Sequence, residues 1–68
     1  MTIRLFFKTG EDQFHEKETI ELDFRPVRGD VLHYEGSRYL IISAEYGTSV
    51  NGKQTVSAYL KVANAKIE

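Results

Sequence analysis

The chain has 68 residues, no cysteine, and nine Lys or Arg against ten Asp or Glu, giving a formal charge of −1 and a pI near 6.1. This length accommodates one domain, residues 1–68, and the lack of cysteine excludes disulfide staples and thiolate zinc sites as sources of its stability. The balanced charge argues against a protein that holds nucleic acid chiefly through phosphates, and equally against an acidic mimic of DNA. The opening stretch "MTIRLFFKTGED" offers neither a long apolar core nor a small-residue cleavage site, so no signal peptide is expected. No apolar run reaches membrane-span length either, and the expected location is the cytoplasm.

The apolar period is two almost throughout, which predicts an all-β domain. In "TIRLFFK" the residues Ile3, Leu5 and Phe7 share one face, with Arg4, Phe6 and Lys8 on the other. "TGEDQ" reads as a loop, and "ETIELDF" alternates with Ile20, Leu22 and Phe24 inward. The preceding "FHEKE" either extends that strand, which the pattern favours, or forms a helical turn. In "RPVRGD" Pro26 cannot donate to a ladder and Gly29 is free to turn, so a loop is predicted there. "VLHY" is a short strand, "EGS" a tight turn, and "RYLIISAEY" a long strand, apolar on both sides in its middle.

Asn51-Gly52 is the favoured pair of a two-residue type I′ hairpin, and "KQTVSAYLKV" returns from it as the last strand. A plain two-residue turn pairs Val50 with Lys53 and throws the two apolar sets onto opposite faces. One extra residue on the first arm restores them, setting Ile42 opposite Leu60, Ala44 opposite Ala58 and Tyr46 opposite Val56. The reading therefore places a β-bulge near Gly47 and Thr48, with Gly47 the natural position for it. Five strands on short turns must curl to bury one face, so the expected architecture is a small five-stranded antiparallel barrel with a bulged Asn-Gly hairpin near the C-terminus.

Pro26, Gly29, Asp30, Val31, Gly36, Tyr39 and Ile41 follow a pattern of Pro-x-x-Gly-Asp, short strand, glycine turn, then an aromatic and apolar strand. In this the chain resembles small SH3-like β-barrels of the kind found in uncharacterised proteins of phages and other mobile elements. The resemblance implies a shape, whose members bind peptides, nucleic acids or other proteins, and it implies no activity.

Arg28-Gly29-Asp30 reads as the turn that launches a strand rather than as an adhesion motif, since Gly and Asp serve turns and Val31 follows at once. His15 and His33 are scattered and lack metal-ligand spacing. Ser37, Ser43, Thr48, Ser49, Thr55 and Ser57 sit in no glycine elbow, and the five glycines form no phosphate cradle. Glu16, Glu18, Glu21 and Asp23 read as a solvated strand face. Neither enzyme activity nor a metal or cofactor is expected.

The outward face is the candidate site. In the bulged register Ser43 lies opposite Tyr59 and Ile41 opposite Lys61, with Tyr39 further along, and Phe6 faces outward by alternation. Phe6, Tyr39, Ile41 and Tyr59, with Arg4 and Arg38 nearby in sequence, form an apolar patch of the composition found at protein interfaces. The expected partner is a host or self protein, a second copy giving a two-fold dimer. Two alternatives stand beside this: residues 9–18 cover the face as a minor core, or the tyrosines stack single-stranded bases with Arg and Lys near phosphates.

Overall fold

The computed structural model describes residues 1–48 and 50–63. These form β1 (Thr2–Gly10), β2 (Gln13–Glu21), β3 (Val31–Tyr34), β4 (Ser37–Thr48) and β5 (Gln54–Val62), with no helix among the described residues. "FHEKE" extends β2, the favoured of its two readings. β1 passes to β2 through Glu11 and Asp12, the latter left-handed at φ 64°, a conformation Asp tolerates better than most residues. β3 passes to β4 through Glu35 and Gly36, whose φ values of 51° and 82° are those of a type I′ turn.

The strands form one sheet in the order β2-β1-β5-β4-β3. β1–β2, β3–β4 and β4–β5 are antiparallel, but β1 and β5 pair parallel, with Ile3 beside Val56, Leu5 beside Ala58 and Phe7 beside Leu60. The sheet is thus mixed, which corrects the expectation of a wholly antiparallel one. The cause is parity. Five strands running alternately up and down leave the first and fifth pointing the same way, so where they meet they must meet in parallel.

The sheet curls into a half-barrel whose open seam lies between β2 and β3, its two edges. Across that seam the Tyr34 hydroxyl donates a hydrogen bond to the Glu18 carboxylate. Inside the curl Ile3, Leu5 and Leu60 are wholly buried, with Ala58, Ile41 and Tyr34 beside them. Phe7, Ile20, Leu22, Leu32, Tyr39 and Val56 pack against this cluster. Phe24, expected to join it, is 72% exposed. The β1–β2 ladder ends where Met1 and Leu22 exchange backbone hydrogen bonds of 2.6 and 2.9 Å. Past that point the chain bends away and alternation no longer assigns a face.

The β4–β5 pairing sets Ala44 opposite Ala58, Tyr46 opposite Val56 and Ser43 opposite Tyr59, as the sequence predicts. The predicted bulge at Gly47 and Thr48 is absent, because those residues pair regularly with Thr55 and Gln54. The odd residue is absorbed by the connection 49–53 instead, and Asn51-Gly52 sits within that longer loop. The register shifts at Ile42, so that Ile41 rather than Ile42 faces Leu60. The shift lies where β4 is held from its other side. Ile41 donates to the Asp30 carbonyl at 2.9 Å and accepts from the Gly29 amide at 2.8 Å. Arg28-Gly29-Asp30 is therefore a turn continuing the β3–β4 ladder, with Gly29 at φ 98°.

Candidate binding face

Parallel pairing of β1 with β5 sets Phe6 beside Tyr59 on the convex side of the sheet. Their rings stack at 4.8 Å between centroids with planes 18° apart. Phe14 of β2 meets Tyr59 edge-on at 5.1 Å, so three rings from three adjacent strands form one patch, each partly exposed. Both geometries suit the aromatic quadrupole. The Arg4 guanidinium lies 5.3 Å from the Phe6 ring centre, and its Nε and Nη2 each donate to a Glu16 carboxylate oxygen at 2.8 Å. This fork-to-carboxylate pairing is the strong form of the interaction.

Charges frame the patch. The Arg4 hydrogen bond holds the Glu16 carboxyl below the usual carboxylate range, and Glu16 in turn raises Arg4. Desolvation raises the Tyr59 phenol, helped by Glu45, whose carboxylate accepts from the Tyr59 hydroxyl at 3.2 Å. Two carboxylates therefore stand at the edge of the rings.

The predicted site residues separate. Phe6, Tyr59 and Arg4 come together as expected. Ile41 is 4% exposed and belongs to the core, and Tyr39 meets Phe7 edge-on at 4.8 Å inside the curl. The bulge at Ile42 reverses the facing of every β4 residue before it, which carries both inward. Arg38 sits opposite His33 on the β3–β4 hairpin and makes no ring contact among the described residues. Residues 9–18 do not cover the patch: they belong to β1, the hairpin turn and β2, within the sheet.

Phe14 was not among the predicted site residues. Glu16, read with Glu18, Glu21 and Asp23 as a solvated face, does lie outward, but Glu18 does not. Strict counting back by twos from Ile20 would put Glu18, Glu16 and Phe14 all inward. The ladder skips at Lys17, pairing Leu5 with Glu18 but Phe6 with Glu16. That skip turns Glu16 and Phe14 outward, to Arg4 and Tyr59, and leaves Glu18 inward against Tyr34. His15 and His33 lie exposed on the two edge strands. Among the described residues no helix is long and apolar enough to cross a membrane. No family model matches the chain, and no characterised protein or solved structure is significantly similar to it.

Proposed function

We propose that the chain is a small, non-catalytic interaction module that docks a protein through the convex patch of Phe6, Phe14 and Tyr59. One observation carries this reading: three rings from three adjacent strands are gathered on a sheet face that no other described segment covers. Aromatic clusters rimmed by an Arg are the anchors of protein interfaces. Binding acts by occupancy, covering a surface of the partner. The carboxylates of Glu16 and Glu45 at the rim favour a protein over a nucleic-acid backbone on this face. The resemblance of residues 26–41 to SH3-like barrels fits a binding role of this kind.

The test pairs capture with stability. Immobilised wild-type protein and the variant Phe6→Ser/Tyr59→Ser are exposed to the same host lysate, and both are unfolded in urea. The expected result is a partner retained by wild type and lost by a variant that still unfolds cooperatively. Capture of the same proteins by both overturns the reading, and so does a variant that no longer folds, since the rings would then be structural. Light scattering across a range of concentrations identifies the case in which the partner is a second copy.

A further inference from the structure

A second surface lies at the far end of β4, where the loop between β2 and β3 folds back on the sheet. Arg25, Val27, Arg28, Ile42, Ala44 and Tyr46 line an open groove of about 420 Å³ there. Loop and strand are fixed to each other: the Tyr46 hydroxyl donates to the Pro26 carbonyl at 3.3 Å, and Pro26 is buried. Val27 and Tyr46 are more than half exposed. Large apolar side chains left to water in one place mark a contact surface.

The charge of the groove is one-sided. Arg25 and Arg28 are the charged residues on its lining, and neither makes an ion pair among the described residues. Arg4 differs, since Glu16 already holds it. The Arg25 guanidinium lies 5.4 Å from the Tyr46 ring centre. A guanidinium in a cation–π contact keeps in-plane N–H donors for a carboxylate, and the ring holds it ready in place.

We infer that this groove binds an acidic peptide segment, one that sets an aliphatic side chain against Val27, Ile42 and Ala44 and carboxylates against Arg25 and Arg28. Two features favour a peptide over single-stranded nucleic acid. The lining between the arginines is aliphatic, and the aromatic ring at the groove already carries Arg25, which takes the place of a stacked base. The site is separate from the convex aromatic patch and stands or falls without it.

Isotope-labelled protein is titrated with a short peptide of alternating Glu and Leu, its Gln and Leu counterpart, inorganic phosphate, and a short oligodeoxythymidine, with amide shifts read by NMR. The expected result is saturable movement of the Val27, Ser43, Ala44 and Tyr46 amides with the acidic peptide alone, weakening as salt rises. Arg25→Gln/Arg28→Gln should weaken it about tenfold or more, as loss of charge-assisted hydrogen bonds does. Both arginines are exposed, so this variant keeps its fold. Tyr59→Ser should leave the titration unchanged. Equal binding of the Gln peptide, the same shifts with phosphate alone, tighter binding of the oligonucleotide, or no shift at all would each overturn the assignment.

Discussion

Single residues carry two consequences that solution measurements can read. Ile41 and Ile42 are neighbours of identical chemistry, but Ile41 is 4% exposed and Ile42 only partly buried. Ile41→Val should cost about 0.5–1.5 kcal/mol in urea unfolding, and Ile42→Val close to nothing. A reversed order would mean that the bulge sits elsewhere. The ionisable pairs supply the second. Glu16, bonded to Arg4, and Glu21, bonded to Thr2, both keep their protons off to lower pH in the folded chain than in the unfolded one. Near pH 4 the unfolded state therefore binds more protons, so the stability these groups give is present above the unfolded Glu value of about 4.3 and is lost as pH falls below it. Glu16→Gln should flatten part of that acid limb in a series of urea midpoints. Tyr34 acts in the other direction. Its bond to Glu18 raises the phenol, so the folded chain keeps that proton as pH climbs past about 10 and loses stability there. Tyr34→Phe should weaken the alkaline loss.

At the scale of strands, alternation is reliable between bulges and fails across them. Alternation gives the faces of β1 correctly, because the apolar residues Ile3, Leu5 and Phe7 lie before the irregularity near Thr9. Each of two skipped positions then reversed half a strand. Ile42 took Tyr39 and Ile41 into the core, and Lys17 brought Phe14 and Glu16 out to the patch. Neither position carries a glycine or proline to announce it, whereas Gly47, the residue with such a signal, is regular. The need for one extra residue between Tyr46 and the last strand was legible, since it follows from matching apolar faces. Its location was not, since a longer connection satisfies the same constraint. Turns can be tested more simply. Glu35 holds φ 51° without being glycine, and an L-residue there pays about 1–2 kcal/mol unless it is Asn or Asp. Glu35→Asn creates the preferred Asn-Gly pair with Gly36 and should raise stability by about 0.5–1 kcal/mol. Gly36→Ala should lower it by a similar amount or more. Nothing lies within 4 Å of the added carbon, so backbone strain alone would be responsible. A neutral Gly36→Ala would contradict the turn type.

For the whole molecule the governing fact is that the barrel does not close. Its described strands form a single curled layer whose convex face and two edges meet solvent. Such a shape was not legible in the sequence, because closure depends on whether β2 and β3 approach within a ladder, and their side chains do not encode that distance. What spans the seam is a side-chain contact, Tyr34 to Glu18. Stability should therefore be graded outward from the centre. β1 and β5 have a neighbour on each side and contribute the wholly buried Ile3, Leu5 and Leu60. β2 and β3 each have one neighbour, and β3 is only four residues long. Backbone opening follows local burial and pairing. Native-state hydrogen exchange should then be slowest in β1 and β5, and fastest in the edge strands β2 and β3. Tyr34→Phe should speed exchange along the two edges while leaving β1 and β5 governed by global unfolding. If β2 amides prove as protected as those of β5, and insensitive to Tyr34→Phe, then the edges are sealed by something other than this contact. In that case a second copy seated along them is the first thing to seek, by asking whether the protection fades on dilution.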